Sequence, residues 1–300
     1  METKSAFIAV VGRPNVGKSS LLNAFVGEKI AIVSKKPQTT RNRITGIVTR
    51  GETQLVFIDT PGMHAPHTKL SEYMVREIGD GIADVDAVAL LTDPLGEITA
   101  AEEELARRLS ARKIPMVLVV NKCDLLDNKE LMLPKIDSFT NAFSFEHVFP
   151  ISVHRNDGVG ELFECLSGYS KPSPHFFDSE TFTDQPERVI VSEIIREKLL
   201  QNLHDELPHG IAVEIEAMHE REGRKEQDAI LDISATIYCE RESHKGMIIG
   251  KSGAMLKRVS TQARTDIERF LGIKVYLQCW LKVREDWRNR EGIIRKFGYK

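Results

Sequence analysis

The stretch Gly12-Arg13-Pro14-Asn15-Val16-Gly17-Lys18-Ser19 directly follows the apolar run Phe7–Val11. Its spacing, G-x-x-x-x-G-K-S, is typical of a phosphate-binding loop between a buried strand and a helix. In such a loop the backbone N–H groups point at a polyphosphate, and the N-terminus of the next helix adds positive potential. We predict a strand over Phe7–Val11 and a helix over Ser19–Phe25. A chance glycine-rich turn is the alternative, and the Lys-Ser pair with both flanking elements argues against it.

Three residues at the end of this loop carry the predicted chemistry. Lys18 would contact the outer phosphates of a nucleotide, and the Ser19 hydroxyl would ligate Mg²⁺. Ser20 follows in the helix and is included in the predicted nucleotide site.

Length and composition are those of an ordinary globular protein. The 300 residues are enough for two domains, and 41% hydrophobic with 28% charged residues indicates no disorder. The four cysteines are far apart and form no C-x-x-C pair, which argues against a zinc site or a disulfide framework. No apolar run approaches the ~20 residues that span a bilayer, and the N-terminus has no signal-peptide pattern. We therefore expect a cytoplasmic, monomeric protein that is soluble or at most peripheral.

Short apolar runs alternate with helical patterns through the first 170 residues. This alternation predicts an α/β fold with a doubly wound, mostly parallel sheet that binds ligands at the carboxyl ends of its strands. Only four residues, 50–53, separate the second and third strands, so a hairpin with one antiparallel edge strand is expected. The predicted strands are Phe7–Val11, Thr45–Thr49, Gln54–Ile58, Asp86–Leu91, Met116–Val120 and Val148–Ile151. The predicted helices include Leu70–Ile82 and Ala100–Leu109.

Three further motifs at strand ends indicate a guanine nucleotide. In Asp59-Thr60-Pro61-Gly62, the aspartate can hold Mg²⁺ through water and the glycine N–H can reach the terminal phosphate. In Asn121-Lys122-Cys123-Asp124, the carboxylate can accept both donors of guanine, which adenine lacks there. Ile151-Ser152-Val153 would supply a backbone N–H, from Val153, to the guanine carbonyl oxygen. Each motif alone is an ordinary turn, but their order at successive strand ends favours GTP over ATP.

The composition changes after Tyr169 to a polar stretch rich in proline. We predict a GTP-binding domain over residues 1–170, a linker over 171–185 and a second domain over 186–300. The pattern of the second domain is αββααβ followed by a polar, Trp-containing helix. Its predicted elements are a helix at Glu187–Glu206, strands at Ile211–Met218 and Ala229–Tyr238 joined by the charged turn Glu220–Asp228, a helix at Ala254–Leu271 and a strand at Ile273–Leu281.

The loop before the long helix of the second domain indicates nucleic-acid binding. Gly250-Lys251-Ser252-Gly253 fits the G-x-x-G loop of a KH domain, where glycines allow close approach of an RNA backbone. Ile248 and Ile249 would form the apolar floor for unpaired bases. The αββααβ order is that of the prokaryotic-type, α+β KH fold. Residues 241–300 carry 15 Lys and Arg against 6 Asp and Glu, a net +9 that suits a polyanion.

Further contacts to RNA are less specific. Five basic residues are candidates for phosphate contacts, although a solvated basic surface is the common alternative. Trp280 and Trp287 could stack on bases, but Trp280 falls within a strand pattern, which favours packing in a core. The five basic candidates are Arg241, Lys245, Lys257, Arg258 and Arg264.

Across its whole length the chain resembles GTPases of the Era family, which belong to the translation-factor class. In residues Pro37-Gln38-Thr39-Thr40-Arg41, which look like the first switch of that family, the resemblance assigns to Thr40, with Thr39 as the alternative, a hydroxyl that ligates Mg²⁺. Asn15 resembles a K⁺ ligand of related enzymes, and an ordinary turn residue is the alternative. We expect Lys18, Thr40, Gly62 and Asn15 to support catalysis.

Two positions depart from related GTPases. Met63 stands where Ras-like enzymes place the glutamine that orients water, so slow intrinsic hydrolysis is expected. Val153 stands where alanine is usual in the family, which could alter the geometry beside the base.

The resemblance implies binding near the 3′ end of small-subunit ribosomal RNA, a role in assembly of the small ribosomal subunit, and peripheral association with the cytoplasmic face of the membrane. One alternative is a nucleotide-dependent signalling switch whose C-terminal domain binds a protein or a membrane. Another is an ATP-driven RNA remodeller, which the Asn-Lys-x-Asp motif disfavours.

Overall fold

The computed structural model describes residues 2–34, 36, 39–62, 68–74, 84–203, 210–221 and 229–299. The chain divides into two compact units. The first comprises Met1–Ala31, Thr40–Pro66 and Met74–Asp184, and the second comprises Ile32–Thr39, His67–Tyr73 and Gln185–Lys300.

The first unit is built on one sheet in which the strands follow the order β2-β3-β1-β4-β5-β6. All neighbours pair in parallel except β2 and β3, which form the expected antiparallel hairpin. The strands are β1 (Lys4–Gly12), β2 (Ile44–Arg50), β3 (Thr53–Asp59), β4 (Ala87–Thr92), β5 (Met116–Val120) and β6 (His147–Pro150). The helices are α1 (Lys18–Val26), α2 (Ala100–Ala111), α3 (Leu133–Ala142) and α4 (Val159–Ser167).

Helices cover both faces of this sheet, so its central strands are almost continuously buried. On one face Phe25 of α1 stacks on Phe57 of β3 at 4.6 Å, and Phe163 of α4 packs edge-on against Phe25. On the other face Leu105 and Leu109 of α2 join a core with β4 and β5. Since β3, β1, β4, β5 and β6 are parallel, their carboxyl ends and the motifs that follow them share one edge of the sheet.

The segment predicted to be a linker is instead part of the first unit through Asp184. The short strand β7 (Lys171–Pro172) pairs antiparallel with Lys4 and Ser5, where β1 extends beyond β4. Phe176 packs edge-on against Phe7 at 5.0 Å. The polar composition of this segment therefore did not indicate a linker, because its backbone pairs with β1 and one of its aromatic rings packs against Phe7.

The second unit has the predicted αββααβ order. Its three-stranded sheet runs β10-β9-β8, with β9 and β10 parallel and β8 and β9 antiparallel. The elements are α5 (Glu187–Asn202), β8 (Ala212–Arg221), β9 (Ile230–Cys239), α6 (Glu242–Ile249), α7 (Ala254–Leu271), β10 (Lys274–Val283) and α8 (Glu291–Lys296). One hydrophobic core lies between the helices α5 and α7 and the sheet.

Ile32–Thr39 belongs to this second unit, and α5 binds the backbone of two of its described residues. The Glu197 carboxylate accepts the Val33 N–H at 2.8 Å, and the buried Arg196 guanidinium donates to the Thr39 carbonyl. The predicted boundaries at residues 170 and 185 did not anticipate this grouping.

Some predictions fall outside the described residues. The predicted helix Leu70–Ile82 is seen only at residues 69–74, and most of the charged turn Glu220–Asp228 lies beyond the described part, as do Pro37, Gln38 and Met63. Among the described helices, none combines the length and the apolar character needed to cross a bilayer.

Candidate functional site

The phosphate loop joins β1 to α1 and winds through three residues with positive φ. Gly12, Asn15 and Gly17 have φ of 146°, 66° and 104°. A side chain at position 17 is excluded by contact as well, since its Cβ would lie 2.2 Å from Nδ2 of Asn121. The loop conformation therefore depends on glycine and on close packing against the loop that follows β5.

Lys18 is buried at the start of α1 and turns back over the loop. Its ammonium group donates to the carbonyls of Gly12 at 3.1 Å and Arg13 at 2.9 Å. Burial lowers the pKa of Lys18 to about 8, and the negative charge of Asp59 opposes that shift. The ammonium group is thus held inside the loop, where an outer phosphate would meet it.

Ser19, Thr40 and Asp59 form a cluster of oxygen atoms. The Ser19 hydroxyl donates to Oδ2 of Asp59 at 2.6 Å, and its oxygen lies 2.9 Å from Oγ1 of Thr40. Because the Ser19 proton is committed to Asp59, the Thr40 hydroxyl is the donor in the second bond. The three residues predicted to bind Mg²⁺ are therefore brought together.

The cluster also fits Mg²⁺ chemically. Oδ1 of Asp59 is buried and accepts no hydrogen bond from the described residues. Burial raises the pKa of Asp59 to about 6, against the charge of Lys18 and the hydrogen bond from Ser19. Mg²⁺ takes hard oxygen ligands, and a divalent cation here would meet the unsatisfied carboxylate oxygen and two hydroxyl groups.

The residues after Asp59 pack against the phosphate loop. The Thr60 hydroxyl donates to the Val10 carbonyl at 3.3 Å, and Pro61 is buried. A Cβ at Gly62 would lie 2.7 Å from the Pro14 nitrogen, so only glycine allows this approach. Gly62 therefore packs directly against the phosphate loop, and a movement of Gly62 would change this contact.

Asn121 joins the phosphate loop to the predicted base site. Its amide donates to the Val16 carbonyl at 2.9 Å, and its carbonyl accepts the Val153 N–H at 3.1 Å. The N–H that we predicted for the guanine carbonyl is therefore already engaged, so a base would have to share this donor with Asn121.

Asp124 is held by Ser152 at the edge of this site. The Ser152 hydroxyl donates to Oδ1 of Asp124 at 2.6 Å and accepts the Arg155 N–H at 3.1 Å. The hydrogen bond from Ser152 lowers the pKa of Asp124, so the carboxylate is ionised and oriented. A fixed acceptor pair suits the two adjacent donors of guanine.

Two acidic residues near the site were missed by the sequence analysis. Asp93, which follows β4, pairs with Arg13 at 3.2 Å and with Lys122 at 2.8 Å. Glu102 of α2 lies 3.1 Å from the Arg13 guanidinium. The position of Asp93 directly after a parallel strand was the available signal.

The predicted RNA loop connects α6 to α7. Gly250, Ser252 and Gly253 have φ of 71°, 51° and 79°. A Cβ at Gly250 would lie 2.7 Å from that of Met255, whereas one at Gly253 would meet no atom within 4 Å. Lys251 and Ser252 are exposed. The loop therefore presents backbone and one positive charge to solvent.

The prediction that Ile248 lines a groove is wrong. Ile248 is fully buried in the hydrophobic core of the second unit, where no base can contact it. Ile249 is only half-buried, and the neighbouring Met247 is 61% exposed. Ile249 therefore remains the candidate for an apolar contact.

The expectations for the two tryptophans are also corrected. Trp287 is fully buried and donates its ring N–H to the Gly210 carbonyl at 2.9 Å, so it cannot stack on a base. Trp280, which the strand pattern placed in a core, is 58% exposed on β10, on the same face of the strand as the exposed Tyr276. Leu277, Cys279 and Leu281 take the core-facing positions, and this alternation could have predicted the outward direction of Trp280.

The five candidate basic residues differ in exposure. Arg241, Lys257, Arg258 and Arg264 are exposed, whereas Lys245 is half-buried and lies 3.9 Å from Glu242.

Two family models match the chain. One, described as a 50S ribosome-binding GTPase, matches residues 7–122, and the other, a KH domain, matches residues 206–288. The first interval contains the phosphate loop and the second contains the G-x-x-G loop.

Curated relatives match over the full length. The chain is 47% identical over 300 residues to GTPase Era of Ruminiclostridium cellulolyticum, covering 100% of this chain and 99% of the relative. It is 46% identical over 296 residues to GTPase Era of Clostridioides difficile, covering 99% and 98%.

Solved structures of Era are similar along both units. Era in complex with MgGDPNP and nucleotides 1506–1542 of 16S ribosomal RNA matches with a TM-score of 0.93 and 34% identity, over 99% of each chain. A single-residue variant of Aquifex aeolicus Era bound to GDP and AlF₄⁻ matches with the same TM-score, identity and coverage. The mixed α/β fold of a P-loop GTPase domain with a C-terminal KH domain is thereby confirmed.

Proposed function

The chain belongs to the Era family of GTPases, and from this premise we propose that it hydrolyses GTP and binds the 3′ end of small-subunit ribosomal RNA. The observation that carries the nucleotide chemistry is the meeting of Ser19, Thr40 and Asp59, at 2.6 and 2.9 Å, beside the buried Lys18. Relatives bound to MgGDPNP and to GDP with AlF₄⁻ support the same ligands here.

In this proposal the phosphate loop binds the phosphates through its backbone N–H groups and Lys18. Ser19 and Thr40 would hold Mg²⁺ directly and Asp59 through water, and the ion would neutralise phosphate charge during hydrolysis. The Gly62 N–H would bind the terminal phosphate and move when that phosphate leaves. Thr60 and Pro61 would keep Gly62 against the phosphate loop.

Asp124 selects the base in this proposal. Its carboxylate would accept two guanine donors while Ser152 holds its orientation, and Asn121 with Lys122 would shape the pocket. The Val153 N–H would donate to the guanine carbonyl together with its bond to Asn121. Adenine offers no matching pair of donors to Asp124.

Hydrolysis also needs charge stabilisation at the transferring phosphate. Met63 offers no group that could orient water, so we expect slow intrinsic turnover. Asn15, whose φ of 66° is unusual for a residue with a side chain, would help bind K⁺ in place of an arginine finger.

RNA binding is assigned to the loop between α6 and α7. Gly250 and Gly253 would admit the RNA backbone, Lys251 and Ser252 would contact phosphates, and Ile249 would contact a base. The excess of basic residues in the last 60 positions supports a polyanionic partner.

We infer a role in assembly of the small ribosomal subunit. The description of the GTPase family model names the 50S subunit, whereas the Era structure that matches 99% of this chain holds 16S RNA. The similarity to that Era structure extends over the KH domain, whereas the GTPase family model ends at residue 122, so the 16S RNA is the stronger indication. A ribosomal target implies a cytoplasmic location, with peripheral membrane association as a further proposal that cell fractionation would test.

The two nucleotide forms should bind RNA with different affinity, because GTP can reorder the segments around Thr40 and Gly62. Thermodynamic linkage then requires RNA to change GTP affinity by the same factor, typically ~1–3 kcal/mol.

Two titrations test the proposed function. GTP and ATP are titrated against the magnesium-containing protein, with Lys18→Ala as the variant that loses nucleotide binding. A fragment of 16S RNA covering the 3′ end and a scrambled RNA of equal length are then titrated against the GTP-analogue and GDP forms at two salt concentrations. We expect preference for GTP and for the native RNA sequence.

Equal affinity for GTP and ATP would contradict the nucleotide assignment. Equal affinity for native and scrambled RNA would favour the alternative of a signalling switch whose second unit binds a protein or a membrane. Equal RNA affinity of the two nucleotide forms would contradict the coupling alone.

A further inference from the structure

Asp93 links two motifs that lie more than 100 residues apart in sequence. Its Oδ2 accepts from the Arg13 guanidinium at 3.2 Å, and its Oδ1 lies 2.8 Å from the Lys122 ammonium group. Arg13 is the second residue of the phosphate loop, and Lys122 belongs to the loop predicted to bind the base. One carboxylate therefore bridges the two loops that a nucleotide would contact.

The strand order explains why Asp93 can make this bridge. In the sheet, β4 lies between β1 and β5 and runs parallel to both. The residue that follows β4 is therefore placed between the loop after β1 and the loop after β5.

Glu102 places a second carboxylate beside Arg13. Its side chain is fully buried, and its Oε1 lies 3.1 Å from Arg13 Nε and accepts the Thr92 hydroxyl at 2.6 Å. The other oxygen accepts the N–H and hydroxyl of Thr99, each at 2.9 Å, and lies 3.3 Å from Lys135. With both oxygens held, Glu102 is a fixed negative charge beside the Arg13 guanidinium, although Arg13 Nε makes no hydrogen bond to a described residue.

We propose that Asp93 is a positioning residue for guanine nucleotide, which holds the phosphate loop and the base loop in register through Arg13 and Lys122. Asp93 makes no contact with the nucleotide in this proposal. Its effect is to preorganise two loops that must both engage one ligand, so less ordering remains to be done on binding. The inference rests on the proposed function.

The bridge is better suited to positioning than to stabilising the fold. The side chains of Arg13, Asp93 and Lys122 are 30%, 29% and 34% exposed. Ion pairs open to solvent contribute little to folding stability. The backbone of Lys122 is in the left-handed region, with φ of 67°. A residue other than glycine keeps this conformation only when the surrounding structure holds it there.

The Asp93→Asn variant tests the inference. We would measure dissociation of a fluorescent GDP, turnover at saturating GTP, and the thermal midpoint of the nucleotide-free protein. GDP dissociation should accelerate about tenfold, in the range expected for coupled charged neighbours. Saturated turnover should stay near the wild-type value, because we expect slow hydrolysis rather than GDP release to limit it. The midpoint should also stay near the wild-type value, because it is measured without nucleotide.

Glu104→Gln is the matched control. Glu104 lies on α2 and pairs with Arg107 at 3.0 Å and Arg108 at 2.7 Å, so this change also removes one partly exposed, paired carboxylate. Its GDP dissociation rate should equal that of the wild type. Asp93→Glu, which keeps the charge, should restore part of the loss.

A double-mutant cycle with Arg13→Gln identifies the link. Arg13→Gln should accelerate dissociation, and adding Asp93→Asn should accelerate it by less than the product of the single effects. Should Asp93→Asn fail to fold, Arg13→Gln with Glu104→Gln tests the same bridge.

The inference alone is overturned if the wild type retains fluorescent GDP and Asp93→Asn releases it at the rate of Glu104→Gln, whatever happens to the midpoint. Strictly multiplicative effects of Arg13→Gln and Asp93→Asn would also overturn it. A wild-type protein that does not bind the fluorescent GDP would overturn the proposed function itself.

Discussion

The phosphate loop of the first unit and the G-x-x-G loop of the second use the same residue types in opposite environments. Each combines two glycines with a lysine, which is the first residue of a helix in the first loop and lies shortly before a helix in the second. Lys18 is 6% exposed and bonded to its own loop, whereas Lys251 is exposed. A Cβ at Gly17 would collide with Asn121, whereas one at Gly253 would meet nothing within 4 Å.

The difference follows from the ligands proposed for the two loops. A closed loop with internally bonded groups suits a small polyphosphate that is surrounded on binding. An open loop suits a polymer whose backbone passes along the surface. In the first loop glycine is needed for close packing and for positive φ. In the second loop glycine is needed for positive φ and leaves the backbone open to a ligand.

Replacing Gly17 or Gly253 with alanine should have the largest effect and should distinguish the two loops. Gly17→Ala combines a φ of 104° with a contact of 2.2 Å, so nucleotide affinity should fall by about a thousandfold, roughly the 4 kcal/mol of a severe substitution. Gly253→Ala has only the strain of positive φ, about 1–2 kcal/mol, and should weaken RNA binding far less. Calorimetric titration of each ligand provides the measurement, and similar losses would contradict the comparison.

Asp124→Asn should change which base the closed site accepts. The amide presents a donor to guanine where the carboxylate accepts, so GTP affinity should fall about a hundredfold, given about 1.5–3 kcal/mol for each hydrogen bond to a charged group. Xanthine nucleotides, whose C2 oxygen can accept from the amide, should gain. Competition binding decides this, and unchanged preference for GTP would remove Asp124 from the base site.

Acidic substitution of the open loop should affect RNA alone. Lys251→Asp with Ser252→Asp places negative charge against phosphates, and RNA affinity should fall about tenfold, or ~1.4 kcal/mol. GTP binding without RNA should be unchanged. Titration of the 16S RNA fragment against wild type and variant measures the effect, and undiminished affinity would place the RNA site elsewhere.

The monovalent cation should have a smaller effect on the closed loop. If Asn15 helps bind K⁺ against the developing phosphate charge, GTP turnover should be several-fold faster in potassium chloride than in sodium chloride. Steady-state hydrolysis at matched ionic strength is the measurement. Equal rates would leave Asn15 as a turn residue that supports the loop.

The smallest expected effect is a pH dependence of stability that originates beside the closed loop. Burial of Glu102 favours its neutral form, but hydrogen bonds from Thr92 and Thr99 and the charge of Lys135 outweigh this and lower its pKa. A lowered folded-state pKa stabilises the fold above the ordinary value of 4.5, and the gain is lost as pH falls through the folded value.

Wild type should therefore exceed Glu102→Gln in stability at pH 7, and the difference should shrink below pH 4.5. Denaturant unfolding of both proteins across this pH range measures it. A difference that stays constant with pH would contradict an ionised Glu102 in the fold.

Much of the fold and of the nucleotide site was predictable because the motifs are local. The predicted strands at 7–11, 45–49, 54–58 and 116–120 lie inside observed strands. The first three observed strands are longer than predicted, because pairing extends a strand beyond its apolar run, and the fourth has the predicted bounds. Ser19, Thr40 and Asp59 were named from separate motifs, and parallel strands bring them together. Their roles with bound ligands stay predictions.

Errors arose where a residue type allowed two environments. Trp280 and Trp287 are equally apolar, yet one is exposed on the outer face of β10 and the other is buried with its N–H bonded to Gly210. Ile248 and Ile249 are adjacent in sequence, but only Ile248 is fully buried in the core, and Ile249 is half-buried. Residues 171–184 look like a linker in composition but pair with the first unit.

By itself the sequence determined the chemistry of both loops, because glycine, lysine and the strand-ending motifs act through neighbours within a few residues. Only the tertiary structure decided which side chains are covered and which charges meet. The contact of Asp93 with Arg13 and Lys122 joins residues from three strand ends, and strand order has no local signal in the sequence. Whether a side chain is buried, and which distant charge it pairs with, depends on residues far away in the sequence. The fold determines which of those residues lie next to it.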